Sequence, residues 1–424
     1  MLDLLIYNIS ELITMDLGTN KPLVGEEFQR TDIKNKIIYD GAIVIEGEKI
    51  KEVGKTKDIL KNFSISDFKT TIDATSKTVL PGFVDPHTHL VFGGSREKEF
   101  VLRIEKARHT KNIIMAGGIN DSVSMTRKTS FMELFELGFK RLQRMLQLGT
   151  TTIEAKSGYG LELETELKIL NVIQKLDQSH PIDIVPTFLG AHAIPRGKNS
   201  EKYTQEVIEM LPEIKKQGIA KFCDVFCEAE FFNFEQSKKI LQAGIQHGLK
   251  PKIHADELSN SYGGILAAEI GAISADHLDF TDIDGISAMA ESGVIAVLLP
   301  TVTFTLNLEK TPNTMLMRKL KLPLALATDL NPGASYTESM PLVLTLACIK
   351  LKLTPIEAIA AATINAAFAI DKADIIGSIT KGKQADIVIF DAPNHDYIPY
   401  HFGVNLVDTV IKKGKIVIKN HQQR

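Results

Sequence analysis

Leu80-Pro81-Gly82-Phe83-Val84-Asp85-Pro86-His87-Thr88-His89-Leu90 reads as a short apolar strand that ends in two histidines two positions apart. Alternate residues of a strand face the same side, so both imidazoles converge on one point at its C-terminal end. Neutral imidazole is a common ligand of catalytic metals. A His-x-His pair also occurs in plain loops, and the rest of the chain decides between the two readings. Further apolar runs close on polar residues in the same way: Lys252-Ile253-His254-Ala255-Asp256-Glu257, Ala275-Asp276-His277 and Ala327-Thr328-Asp329.

Working outward, the middle of the chain alternates short strands with longer helical patterns. The expected strands are Val79–His89, Thr151–Lys156, Ile184–His192, Cys223–Glu228, Pro251–Asp256, Ala272–His277, Val294–Pro300 and Leu324–Asp329. Helical periodicity fills Phe131–Leu148, Glu162–Ser179, Ser237–His247 and Thr354–Ile370. Thr354-Pro355-Ile356-Glu357 carries a threonine cap, an early proline and a glutamate behind it. The alanine-rich Ala358–Ile370 reads as one buried helix. Eight such βα units predict an α/β fold, a (β/α)8 TIM-type barrel, with its chemistry at the C-terminal ends of the strands. Both ends of the chain are strand-rich. Ala42–Ile50 reads as a hairpin turning at Gly47-Glu48, and Ala385–Asp391, Val407–Ile411 and Ile416–Ile418 repeat the style. The expectation is a small β-sandwich-like domain built from 1–79 plus 374–424, enclosing a barrel over 80–373.

The 424 residues are 44% hydrophobic and 24% charged, ordinary for a globular protein, and the formal net charge of −3 gives no electrostatic case for nucleic acid or an acidic membrane. No apolar stretch spans a bilayer, and Met1–Asn8 lacks a signal peptide's basic start and cleavage site. Three cysteines, Cys223, Cys227 and Cys348, argue against a disulfide framework and fit a reducing cytoplasm. The Cys223/Cys227 spacing matches no zinc motif and reads as buried small hydrophobes.

On the strand ends, His87, His89, His254 and Asp329 supply three imidazoles and a carboxylate, a set that suits Zn2+ or Fe with one position left for water. Such an ion lowers the pKa of its water to about 7. Glu257 reaches over that point, to hold a substrate N–H or move a proton, or is a solvated loop residue. His277 orients the water or takes its proton, or is a hydrogen-bonded barrel histidine. Gly93-Gly94-Ser95-Arg96 lets a loop fold back so that Arg96 meets a substrate carboxylate, unless it is merely solvated. Ser157-Gly158-Tyr159-Gly160, Gly190-Ala191-His192 and Asn331-Pro332-Gly333 are further rim loops. With no second histidine cluster to support a bridging lysine, Lys156 reads as a polar or rim residue beside a single metal.

These segments resemble the amidohydrolase superfamily and, closely, its imidazolonepropionase family. The resemblance runs over nearly the whole chain. Its specific pieces are Asp85–Arg96, Lys156-Ser157-Gly158-Tyr159-Gly160-Leu161, Leu189-Gly190-Ala191-His192-Ala193, Asp224–Glu228, His254-Ala255-Asp256-Glu257 and Asp329-Leu330-Asn331-Pro332-Gly333. The resemblance implies one Zn2+ or Fe ion per subunit at His87, His89, His254 and Asp329. It implies that Arg96, Tyr159, His192 and Glu257 bind substrate, that His277 activates water, and that Asn331 and Gly333 contact the ring-opened product. The residue after Gly333 is usually a hydroxyl residue in the family and here is Ala334, with Ser335 next door as a substitute. The implied reaction is attack of metal-bound hydroxide on the ring carbonyl of 4-imidazolone-5-propanoate, giving N-formimidoyl-L-glutamate in histidine degradation, with Glu257 and His277 handling protons. A homodimer is implied as well. The competing readings are another amidohydrolase, such as a different cyclic amidase or a deaminase of a nucleobase-like ring, the neutral base having no need of Arg96, and an inactive barrel used in assembly, which has no need of the full ligand set.

Overall fold

The computed structural model describes residues 1–16, 18–19, 21–25, 37–107 and 118–420. Strands β1 (Leu2–Ile13), β2 (Ile37–Glu46), β3 (Lys49–Lys55), β4 (Phe68–Asp73) and β5 (Thr78–Pro81) come first. The next eight are β6 (Phe83–Asp85), β7 (Thr150–Lys156), β8 (Asp183–Ala191), β9 (Phe222–Cys227), β10 (Lys250–Ala255), β11 (Ser274–His277), β12 (Ile295–Leu298) and β13 (Leu324–Leu326). The last are β14 (Ile387–Phe390), β15 (Val407–Lys412) and β16 (Lys415–Lys419).

Strands β6 to β13 pair in chain order as a parallel eight-stranded sheet that is nearly a closed barrel, and the remaining eight form a separate mixed sheet from both termini. The expected (β/α)8 architecture with a β unit built from both ends is what the chain adopts. In the terminal sheet β1 pairs antiparallel with β2 and parallel with both β4 and β5, while β5 also pairs antiparallel with β14. Alternation sorts its side chains, with Leu4 and Ile6 in one apolar cluster and Leu5 in another. Phe390 sets its ring 5.8 Å from that of Phe83 and joins the terminal sheet to the barrel core.

The opening stretch is two strands rather than one. Thr78–Pro81 belongs to the terminal sheet and Phe83–Asp85 to the barrel. Gly82 makes the handover: a Cβ there would sit 2.9 Å from the Thr151 Cβ and closer still to its Oγ1. Ala358–Ile370 is also divided, into helices Pro355–Ala361 and Ile364–Ala369. The Ala362 carbonyl accepts from Val84 N at 2.9 Å, a bond that a continuous helix would direct to its own next turn. The buried Asn365 then serves the backbone of Leu23 and Leu324. Other helices start as their sequences suggest, with Ser130 and Glu133 forming a capping box on Phe131–Gln147.

The barrel seam lies beside the histidine pair. Asp329 N donates to His87 O at 3.1 Å and His89 N to Leu330 O at 2.9 Å. Below them Asp85 accepts from Thr328 N at 3.1 Å and Thr328 Oγ1 at 2.5 Å. The seam therefore brings His87, His89 and Asp329 together from opposite ends of the barrel sequence. Among the described residues no helix is long and apolar enough to cross a membrane.

Candidate active site

His87 and His89 follow β6, His254 lies in β10, His277 ends β11, and Asp329 follows β13. All are buried at the C-terminal mouth of the barrel. Strand alternation alone would turn Asp276 and His277 to opposite faces. His277 and Leu278 instead take left-handed φ values of 79° and 68°, and the His277 ring comes within 5.3 Å of His254 and 5.5 Å of His87. Asp329, at φ 48°, is bent in the same sense. Left-handed backbone at non-glycine residues is strain of the kind that gathers at functional sites.

Three overlapping sets place their ligating atoms within 4.8 Å of one another: His87, His89 and Asp329; His89, His192 and His254; and His87, His254 and His277. Asp329 Oδ1 lies 3.4 Å from the Nε2 atoms of both His87 and His89. Whether a metal fits can be judged from atoms that lack partners. His87 Nε2, His254 Nε2, His89 Nδ1 and Asp329 Oδ1 are buried without a hydrogen bond. Sealing such atoms away from water is costly unless something bonds to them. Burial, followed by neighbouring positive charge, holds the His87 and His89 imidazoles well below their usual pKa, so both are neutral, the form that can bind a cation. Burial, with the charge of Glu257, pushes the Asp329 carboxyl well up. A divalent cation relieves that penalty, and the donor set fits one.

Behind the histidines stand two carboxylates that the sequence reading did not single out. Asp276 Oδ2 accepts from His87 Nδ1 at 2.6 Å, and Asp224 Oδ1 from His254 Nδ1 at 3.2 Å. Carboxylate–histidine pairs of this kind fix the tautomer and leave Nε2 free for a metal. No local sequence signal marks them, since the strand register pairs His254 with Asp276 and Phe226, whereas the bonds run from Asp276 to His87 and from Asp224 to His254.

Glu257 is not a solvated loop residue; its side chain is 13% exposed, with Oε2 3.7 Å from His277 Nδ1. Burial, and then the charge of Glu228, raises its carboxyl to about 8. Glu228 also accepts from Leu258 N, Ser259 N and Ser261 Oγ, which fixes the loop beyond Glu257. Tyr159 is buried against His89 and His192, at ring distances of 5.7 and 5.3 Å. The His192 ring stacks on His89 at 4.6 Å and bonds through Nδ1 to Gly158 O at 3.1 Å.

Arg96 is neither solvated nor unpaired: its Nε and Nη2 fork onto Glu99 at 2.8 and 2.6 Å. The same guanidinium packs on Gly333, where a Cβ would sit 2.8 Å from Cζ. Asn331 is engaged with its own loop, donating to Asp329 O at 2.8 Å and accepting from Gly333 N at 2.8 Å and Ala334 N at 2.7 Å. Ser335 does not replace the hydroxyl missing at Ala334. It is buried and donates to Thr328 O at 2.7 Å. Lys156 is not a rim residue; it is sealed inside the barrel among Glu154, Asp224 and Asp276.

Known proteins place this geometry. The amidohydrolase family matches residues 78–417. The chain is 46% identical over 421 residues to an imidazolonepropionase of Alkaliphilus metalliredigens, covering 99% of this chain and 98% of that protein. It is 47% identical, with the same coverage, to one of Alkaliphilus oremlandii. Among solved structures, a zinc-bound adenosine deaminase from Xanthomonas campestris superposes with a TM-score of 0.71 at 18% identity, over 99% of this chain and 93% of that one, a likeness of fold. With 46% identity across nearly its whole length and the buried histidine–carboxylate mouth of an amidohydrolase barrel, the chain belongs to the imidazolonepropionase family.

Proposed function

We propose that the chain opens the ring of 4-imidazolone-5-propanoate by hydrolysis of its cyclic amide, giving N-formimidoyl-L-glutamate in histidine degradation. The observation that carries this reading is the knot of buried, unpartnered ligand atoms on His87, His89, His254 and Asp329 in a chain of this family. Those four residues would hold one Zn2+ or Fe ion per subunit. When bound, the ion acidifies water and polarises a carbonyl. Arg96 binds the propionate carboxylate and so orients the ring, with Tyr159 and His192 against the ring and Glu257 over its N–H. His277 takes the proton from the attacking water through Nδ1, and Glu257 delivers a proton to the leaving nitrogen. The water oxygen ends on the carbonyl carbon, the C–N bond breaks, and the two water protons are shared between the new carboxyl group and the nitrogen. Asn331 shapes the loop that carries Gly333 and Ala334 against the opened product.

The reading includes a cytoplasmic homodimer whose terminal β unit, 1–79 plus 374–424, encloses a barrel over 80–373. Arg96 disfavours a deaminase of a neutral base, which offers no carboxylate to bind. The test is an absorbance assay of metal-loaded protein on fresh 4-imidazolone-5-propanoate, with a chelator-treated control. Chelator-sensitive loss of the imidazolone signal with formation of formimidoyl-glutamate is expected. No turnover by folded, metal-replete protein refutes the assignment.

A further inference from the structure

Lys156 has no part in the reaction above, yet it is one of the largest side chains sealed in the barrel. It rises from β7 on the same face as Glu154. Its ammonium donates to Glu154 Oε1 at 2.8 Å, to Asp224 Oδ2 at 2.7 Å and to Asp276 Oδ2 at 3.5 Å. Burial alone would push the ammonium down, but the charges of Asp224, Glu154 and Asp276 outweigh it and the group stays protonated. Two of its three partners continue to the histidines. The Asp276 oxygen that faces Lys156 is the one 2.6 Å from His87 Nδ1, and the Asp224 carboxylate lies 3.1–3.2 Å from His254 Nδ1.

A carboxylate that orients an imidazole must itself be held, and here two carboxylates from different strands converge on one cation. Without it they would lose the donor they share and turn apart. That change frees the imidazoles they hold. Glu154 is a natural control, because its remaining partner is the Thr187 hydroxyl and its Oε2 has no hydrogen bond.

We propose that Lys156 is a positioning residue for the metal site, spanning Asp224 and Asp276 so that His254 and His87 are held in one rotation and one tautomer with both Nε2 atoms aimed at the ion. The proposal rests on the metal reading given above. Its effect reaches the site through the two carboxylates and involves no contact with substrate.

The test uses metal-free protein reloaded with cobalt(II), with affinity measured by competition with dipicolinate and geometry by the visible absorption of the bound cobalt. Lys156→Met is expected to bind cobalt about tenfold or more weakly, with an altered spectrum, while near-ultraviolet circular dichroism shows a folded barrel. Glu154→Gln is expected to keep both affinity, within about threefold, and spectrum, since it alters the carboxylate that touches no imidazole. A folded K156M with wild-type affinity and spectrum overturns the proposal. Should K156M not fold, Lys156→Gln decides by the same two measurements beside E154Q: a loss of about tenfold in K156Q alone supports the bridge, and wild-type affinity and spectrum in K156Q, or equal losses in both, overturn it. Wild-type protein that binds no cobalt overturns the metal reading and this proposal together, whereas an unchanged K156M overturns the proposal alone.

Discussion

Gly333→Ala tests whether Arg96 anchors the substrate carboxylate. Gly333 is not in the left-handed region, so alanine brings no backbone strain there. Its effect must come from the methyl group, which would lie 2.8 Å from the Arg96 Cζ and 3.3 Å from Nη2, closer still to Nη1. Ordinary carbon contacts begin near 3.5 Å, so the guanidinium must withdraw by most of an ångström. It is the flexible end of a long side chain, and it will move before the loop does. Moving it strains the fork on Glu99 and shifts Nη1 from its place beside Gly333. Loss of one charge-assisted hydrogen bond to the substrate costs about 1.5–3 kcal/mol, or about 10- to 150-fold in KM. The expected result is a KM raised by that factor with kcat and metal content little changed. Steady-state kinetics with metal analysis measure all three. R96K removes the planar fork that meets the methyl, so adding G333A to R96K should cost much less than adding it to wild type. A folded G333A enzyme with KM within about twofold of wild type refutes the anchor.

Glu257→Gln keeps the shape and burial of the side chain but cannot carry a proton; kcat should fall by roughly 10²–10⁴-fold with metal content unchanged, and near-normal kcat would remove Glu257 from proton transfer. Thr328→Val deprives Asp85 Oδ2 and the Leu330 N–H of their buried partner. Urea unfolding should show a loss of roughly 2–4 kcal/mol, and an unchanged midpoint would mean that water or rearrangement satisfies the seam. His180 accepts from Ile182 N through Nδ1 at 3.2 Å and bonds Gln143 Oε1 through Nε2 at 2.8 Å, a neutral tautomer with no room for a second proton. Burial lowers its pKa from 6.5 to about 4. Below pH 6.5 the unfolded chain takes a proton that the folded one refuses, so this contribution is intact above pH 6.5 and is lost as pH falls toward 4. Replacing His180 with Gln should flatten that part of the stability–pH curve by up to about 3 kcal/mol, and an identical slope in both proteins would contradict the assignment.

The strand ends were legible because each barrel strand is a short apolar run whose last residue changes character, as in Ile253-His254 or Ala327-Thr328-Asp329. Chain order then sufficed to gather the ends at one mouth, since parallel strands joined by helices all point the same way. The division of the opening stretch at Gly82 was not legible. It depends on pairing between Thr78–Pro81 and strands near both termini, and nothing local records that. The break after Ala361 is of the same kind, because its cause is the Val84 amide, far away in sequence. His277 is a third case: simple alternation would face it away from the site, and only the left-handed turn at His277-Leu278 returns it.

Lys156 shows why polarity alone could not finish the reading. Both faces of a parallel barrel strand are buried, one against helices and one against the barrel axis, so alternation does not separate inside from solvent. Every residue of Thr150–Lys156 is buried, and the charged pair Glu154 and Lys156 is the inward set. A lysine on such a strand looks like a rim residue until its partners are known, and two of the three come from β9 and β11, more than sixty residues away. Burying that ammonium is tolerable only because three carboxylates surround it. Burying the carboxylates is tolerable only because the ammonium and two imidazoles share them. The polar interior and the histidines at the mouth are therefore linked through Asp224 and Asp276, and loss of the Lys156 ammonium should be felt at His254 and His87, whereas a change at Glu154 should not.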